Sequence, residues 1–322
     1  MNTFGYNIRL TTFGESHGPA LGGILDGFPP MVKIDFEKVK EDMEKRAPGR
    51  QAFTSPRKEP DEVEFLSGLS ADGVTLGTPI GFIIRNKDHR SGDYAGYAGR
   101  FRPNHADYTY YSKYGINEFA GGGRASARAT VSWVAAGALC RQWLATKGVT
   151  VSARFIETNS VEEAASNGDS TGGIVEGVIN GLPVGVGEPL FGKLHSRLAA
   201  AMMSINAAKA FEYGDGVASA YSFGSNVQDL MIPDNNAAGG YRFLTNHSGG
   251  IQGGISNGMP VNFKVYFKPT PTLMREMDAY DTEGKHVIIP PKGRHDPCVA
   301  KRAPAIVEAM ALLTVADLMR YM

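Results

Sequence analysis

Three consecutive glycines, Gly121-Gly122-Gly123, stand directly in front of Arg124-Ala125-Ser126-Ala127-Arg128, and from Ser126 a helical pattern runs to about Thr146. With every Cβ removed the chain can turn sharply there, leaving bare backbone amides at the mouth of a helix whose dipole favours negative charge. Arg124 and Arg128, at i and i+4, are expected on one helical face, where each can grip an oxyanion with a bidentate fork. A glycine cluster marks a turn whatever it binds, so a tight turn into a core helix with two solvated arginines explains the same residues. The preceding stretch tips the balance towards an anion site. From Arg100 it reads RFRPNHADYTYYSKYG, placing Arg102, His105 and a run of tyrosines within about one helix length of the glycines.

Composition limits the remaining choices. At 322 residues the chain can bury a large core, and the reading adopted is a single domain over 1–322. Lysine plus arginine, 33, equals aspartate plus glutamate, 33, so no global field draws the protein to nucleic acid or to a membrane, and any basic site must be local. Cys140 and Cys298 offer neither a disulfide framework nor metal spacing, which fits a reducing cytosol. No apolar run approaches membrane length and the N-terminal stretch lacks the basic start and apolar block of a signal peptide, so a soluble, cytoplasmic protein is expected. Many of the 40 glycines fall inside apolar segments, which suggests backbone lying close to a ligand in several places.

In chain order, Tyr6 to Thr12 alternates like a strand and leads into Gly14-Glu15-Ser16-His17-Gly18, where a histidine among small residues can reach a site or simply make a turn. Leu21 to Leu25 is a strand. Asp35 is an expected N-cap for a helix that carries Phe36, Val39 and Met43 on one face and ends near Arg46. Residues 50–61 read as a loop bearing Arg50, Arg57 and Lys58, and 86–99 as another with Asp88, His89, Arg90 and Asp93. Strands are expected from Val63 to Ile84, Val149 to Ile156, Gly173 to Gly185 and Val261 to Phe267, with a small-residue helix over Leu194 to Ala210. The five glycines of 246–258 imply backbone passing something flat or crowded. A final helix starts with Pro304 in its first turn. Three Gly-Gly-Ile segments give no solenoid or propeller period.

Seven stretches together resemble the chorismate synthase family: GESHG at Gly14, FRPNHADYTYYSKYG at Phe101, GGGRASAR at Gly121, SINAAKA at Ser204, GGIQGGISNG at Gly249, KPTPT at Lys268 and KGRHDPC at Lys292. They occur in the family's order from near the N-terminus to the last helix. The resemblance implies an α+β fold, a β-α-β sandwich with helices between antiparallel sheets, assembled as a homotetramer. It implies a lyase that converts 5-enolpyruvylshikimate 3-phosphate to chorismate and phosphate by an anti-1,4-elimination, the last common step of the shikimate pathway. Reduced FMN is required without net redox change, and NADPH is the expected source of reductant.

The same resemblance assigns roles residue by residue. His17 would protonate the leaving phosphate, His105 would donate to the pyrimidine edge of reduced flavin, and Asp296 would lie near flavin N5 and assist loss of the C6 proton. FMN contacts would come from Arg124, Ala125, Ser126, Asn206, Ala207, Gly253, Lys268, Pro269, Thr270, Pro271, Thr272 and Arg294. Substrate contacts would come from Ser16, Arg46, Arg102 and Arg128, with Arg294 a further available cation. Arg46 is also the expected NADP contact. Many relatives carry a second arginine soon after that position, where this sequence has Ala52, with Arg50 nearby as a substitute. The segment from Glu157 to Gly172 resembles a shortened surface excursion. Histidine suits both proton-handling roles because its charge changes near neutral pH. An FMN-dependent oxidoreductase and a non-enzymatic binder of phosphorylated ligands are the competing readings. The binder leaves two histidines and an aspartate in separate glycine-rich contexts without a task.

Overall fold

The computed structural model describes residues 1–47, 49, 60–87, 99–115, 122–237, 240–291 and 296–321. Strands β1 (Thr3–Phe4), β2 (Arg9–Gly14) and β3 (Ala20–Asp26) form a meander; α1 (Phe36–Arg46) then precedes β4 (Val63–Phe65) and β5 (Ile80–Arg85). These strands make one sheet in the order β1-β2-β3-β5-β4. Next come β6 (Arg100–Phe101), α2 (Asp107–Tyr114), α3 (Val131–Ala145), β7 (Thr150–Ile156), α4 (Val161–Ser166), β8 (Gly173–Asn180), α5 (Leu194–Met203) and β9 (Ala208–Tyr213). Two short hairpins follow, β10 (Met231–Pro233) with β11 (Tyr241–Phe243) and β12 (Ile251–Gln252) with β13 (Ile255–Ser256). The chain closes with β14 (Val261–Phe267), β15 (Met277–Asp281), β16 (His286–Ile289) and α6 (Pro304–Met319). A second sheet runs β7-β8-β14-β9 and a third β16-β15-β6.

The two larger sheets enclose the helices. α3 touches β2, β3 and β5 on one side and packs on α6 and α1, while α6 lies on β7 and β8 and α5 on β9. That is the α+β sandwich the sequence resemblance implies. Burial alternates along β8 and β14, so one face of the second sheet meets the helices and the other is more open. α6 is buried on all sides except at Pro304, Glu308 and Leu318, as a helix with apolar residues all round requires. Gly137 allows α3 and α6 to approach closely, since a Cβ there would lie 2.7 Å from the backbone of Ala309. One polar residue in this core has a specific task. Asp317 accepts from the backbone N–H groups of Tyr6, Asn7 and Ile8 at 3.0, 2.6 and 2.8 Å and from Arg197 at 2.5 Å, fixing the entry into β2.

Local signals held where they were chemical. Asp35 caps α1, accepting from Glu37 N at 3.0 Å, and Pro304 opens α6. Other expectations need correction. The helix expected over Leu194 to Ala210 stops at Met203; Ala207 turns with a φ of 68° and Ala208 begins β9, because pairing with β14 outweighs the helical preference of alanine. The strand expected to reach Gly185 ends at Asn180, where Gly181 takes a φ of 73° over the carbonyl of Gly148. The tyrosine run forms α2. The 157–172 excursion contains α4. The expected loop cations and acids Arg50, Arg57, Lys58, Asp88, His89, Arg90 and Asp93, and also Ala52, lie outside the described residues.

Candidate active site

The glycine–arginine segment is the hub, but not as one helix. Gly122 and Gly123 have φ of 82° and 52°, and two 3-10 turns follow, Gly123–Ala125 and Ala127–Thr130. Between them Ser126 is extended, with φ −71° and ψ 140°, and its hydroxyl accepts from Arg128 N at 3.3 Å. This corrects the expectation that Arg124 and Arg128 share an α-helical face. The α-helix begins only at Val131, and the two arginines reach opposite ends of the same loop. Arg124 donates to Thr12 Oγ1 at 2.8 Å, Thr12 O at 3.2 Å and Gly14 O at 3.3 Å. Arg128 Nε donates to Asn86 Oδ1 at 3.0 Å, and Asn86 Nδ2 in turn donates to Glu15 O at 3.2 Å and Gly18 O at 2.8 Å. The loop so held carries Ser16 and His17, whose Oγ and Nδ1 are 3.0 Å apart.

Beneath this loop lies a buried charge cluster. Asp61, in a left-handed conformation with φ 50°, accepts from Arg46 Nη1 at 2.8 Å and from Arg128 Nη1. Arg46 also donates to Thr130 Oγ1 at 3.3 Å and Ala127 O at 3.4 Å. Its burial pulls the guanidinium down to about 9 against the pull of Asp61, with Arg128 and Arg302 adding to the lowering. It remains charged at neutral pH. Arg46 is 3% exposed and faces Asp61. Arg302 Nη2 donates to Asp296 at 2.5 Å. Among the described residues, three arginines of this cluster, Arg46, Arg128 and Arg302, stand against two acids, Asp61 and Asp296. Arg128 Nη2 and Arg302 Nε are buried there without a protein partner. Buried cations are costly unless paired, so this arrangement suits an added anion.

His105 lies on the other side of the hub. Its Nδ1 is 2.6 Å from Asp107 Oδ1, and its Cε1 and Nε2 would lie 3.2 and 3.4 Å from a Cβ at Gly122. Arg102, an expected substrate contact, forms a fork on Asp107, Nε to Oδ2 and Nη2 to Oδ1, both at 2.8 Å. Burial opposes ionisation of Asp107, but the hydrogen bonds from Arg102 and His105 outweigh it and hold the carboxyl well below its usual range. The third sheet positions both loops, since β6 leads into Arg102 and β16 precedes Asp296.

Several expected cofactor contacts converge on the same segment. Asn206 Nδ2 donates to Ala125 O at 2.8 Å, Lys268 N donates to Ala207 O at 3.0 Å, and Lys268 Nζ donates to Asn104 O at 2.7 Å. Burial, with help from Lys209, lowers the Lys268 ammonium from its ordinary value. Pro269 to Thr272 continue from there. Thr270 O accepts from Ser170 Oγ at 2.7 Å while Thr270 Oγ1 is buried without a protein partner, and Thr272 is buried. Gly253 lies at the tip of the β12–β13 hairpin, whose neighbour Gly254 accepts from Leu194 N at 2.8 Å. Arg294 lies outside the described residues.

A family model described as chorismate synthase matches residues 8–163 and 156–320. The chain belongs to the chorismate synthase family. A chorismate synthase of Porphyromonas gingivalis is 47% identical, the match covering 98% of this chain and 95% of the relative. One from Phocaeicola vulgatus is 45% identical over 98% of this chain and 97% of its own length. A crystal structure of chorismate synthase superposes with a TM-score of 0.76 at 26% identity, covering 98% of this chain and 92% of that one. Membership agrees with the α+β sandwich and with a lyase.

Sequence reasoning missed four members of the site: Asp61, Asn86, Asp107 and Arg302. Asp107 was within reach, as an acid two residues after a histidine at a helix start. Asp61 and Asn86 carry no local signal, for they reach Arg128 across the fold, and Arg302 is marked only by its six-residue separation from Asp296.

Proposed function

We propose that this chain is a carbon–oxygen lyase that eliminates phosphate from 5-enolpyruvylshikimate 3-phosphate to give chorismate, using reduced FMN. The observation that carries this reading is the hub at 122–130. It holds the His17 loop through Arg124, Arg128 and Asn86, packs against His105 at Gly122, and rests on a cluster that, among the described residues, has three arginines to two acids and two buried guanidinium nitrogens without a protein partner.

The residues present fit a flat, anionic cofactor. Glycine at 122 and the left-handed turn at Ala207 leave backbone open to a planar ring, the buried Thr270 hydroxyl lacks a protein partner, and Lys268 with Lys209 supplies positive charge. Arg124, Ala125, Ser126, Asn206, Ala207 and Lys268–Thr272 would hold it. Bound in reduced form, it supplies an electron-rich partner for a step with no net redox change. Ser16 Oγ, donating to His17 Nδ1, would leave His17 Nε2 carrying the proton that the departing phosphate needs. Arg128 and Arg302 would stabilise the growing negative charge through the nitrogens that lack protein partners. His105 Nε2 would face the cofactor across Gly122, and Asp296, oriented by Arg302, would receive a proton.

NADPH remains the proposed reductant source, with its contacts away from the buried Arg46. A cytoplasmic homotetramer is proposed as well. No described helix is long and apolar enough to cross a membrane, and the 217–244 arm exposes Val217, Tyr221, Phe223, Leu230 and Leu244, a broad apolar surface for a monomer. Anaerobic incubation with the substrate and chemically reduced FMN, followed by chorismate absorbance, tests the function. Steady NADPH consumption in place of chorismate would favour a flavin oxidoreductase. His17→Ala and His105→Ala are each expected to slow turnover by about 10²–10⁴-fold with unchanged circular dichroism.

A further inference from the structure

Three groups meet at the Nδ1 edge of His105, and their hydrogen inventory is over-determined. Asp107 Oδ1 is 2.6 Å from Nδ1 and Arg102 Nη2 is 3.0 Å from it. An arginine nitrogen only donates and an ionised carboxylate only accepts, so Nδ1 cannot satisfy both as hydrogen bonds. The shorter contact decides. Nδ1 carries hydrogen and donates it to Asp107, while Arg102 Nη2 donates to the same Oδ1 at 2.8 Å and stands near Nδ1 without bonding it. Oδ2 is engaged on its own account, accepting from Arg102 N at 3.2 Å and from Arg102 Nε at 2.8 Å.

We propose that Asp107, backed by Arg102, is a positioning residue that fixes His105 as the Nδ1–H tautomer, so that Nε2 at Gly122 is the nitrogen that exchanges a proton in the reaction. Its catalytic consequence rests on the function proposed above; the tautomer itself does not. Asp107 is 2% exposed and opens α2, so the ring is anchored to a helix start instead of a free loop. Both arms of Arg102 keep the carboxylate plane from rotating. Arg102 accordingly acts on the site through Asp107 and His105.

The geometry also says how an amide would misbehave. In Asp107→Asn an NH₂ group at the Oδ2 position would face two Arg102 donors, N and Nε, whereas at the Oδ1 position it would face only Nη2. The less costly placement puts NH₂ at Oδ1, where it donates to Nδ1 and drives hydrogen onto Nε2.

The test is ¹⁵N NMR of the full chain without flavin, labelled at histidine nitrogens, with the His105 ring assigned by its loss in His105→Gln. In wild type at a pH where the ring is neutral, the protonated nitrogen is expected to be Nδ1, and in Asp107→Asn it is expected to be Nε2. Chorismate formation by Asp107→Asn, assayed well below its thermal midpoint, should then fall by about 100-fold or more; the midpoint itself should drop, because the amide no longer neutralises the buried Arg102. Asp107→Glu should restore part of it. A wild-type ring protonated at Nε2, or a tautomer unmoved by Asp107→Asn, overturns the proposal. So does a reversed tautomer with full turnover. If the amide variant does not fold, the wild-type spectrum decides. Wild-type protein that shows the expected tautomer but forms no chorismate would overturn the functional reading and leave the assignment of the tautomer standing.

Discussion

Gly122 combines two requirements that no residue with a side chain meets. Its φ of 82° is left-handed, and a Cβ would press on the His105 ring at 3.2 and 3.4 Å. Gly122→Ala is therefore expected to cost about 1–2 kcal/mol from backbone strain and to displace the imidazole. Turnover should drop more than the thermal midpoint alone would explain, which parallel activity and melting measurements would show. At this scale the sequence was informative about identity and poor about role. Glycine clusters and histidines stand out because their chemistry is unusual wherever they lie. Arg46 and Arg102 also stood out as cations, but a guanidinium points wherever its nearest buried carboxylate is, and neither Asp61 nor Asp107 had been given a role.

Single elements depend on buried charge held in place from outside. Asp61 neutralises the end of α1 through Arg46 and the 3-10 turn through Arg128. Its removal leaves two buried guanidinium groups facing each other. Asp61→Ala is expected to destabilise the protein by about 3–5 kcal/mol, read by denaturant unfolding, and to loosen the His17 loop through Asn86. A second acid governs the exposed arm. Asp229 accepts from Thr245 Oγ1 at 2.7 Å and from the N–H groups of His247 and Ser248, each at 2.8 Å. Partial burial opposes its charge, yet these bonds prevail and hold it down to about 2. A depressed carboxylate stabilises the fold above its unfolded value near 4 and loses that contribution as pH falls through its folded value. Pepsin cleavage within 217–244 should rise as pH drops from about 4 to about 2, and Asp229→Asn should show the faster cleavage already at the upper end. Elements themselves were legible where a cap or a period marked them, as at Asp35, Val261–Phe267 and Pro304. Over Leu194 to Ala210 the residues favour helix throughout, and only the open edge of β14 turns the last of them into strand.

The whole molecule places site loops from both large sheets and the small third one around one segment. β2 delivers His17, β6 delivers His105, β16 precedes Asp296, and β9 and β14 deliver Asn206, Ala207 and Lys268. The arm leaves Tyr221 and Phe223 at 87% and 81% exposure, more than a solitary chain should keep in water. As a test of the proposed homotetramer, the double variant Tyr221→Ser, Phe223→Ser is expected to sediment with a lower mass than wild type in analytical ultracentrifugation while its circular dichroism is unchanged. By itself the sequence determined the family, through that resemblance the fold class, and the chemical kinds of residue in the site, because motifs are local and survive reading in one dimension; periodicity alone gave only mixed α and β. Only the tertiary structure decided which arginine faces which carboxylate, which nitrogen of His105 is held, and where the helix after Ser126 begins. Those are settled by pairing buried charges across the fold, where leaving one unmatched costs more than any local preference returns.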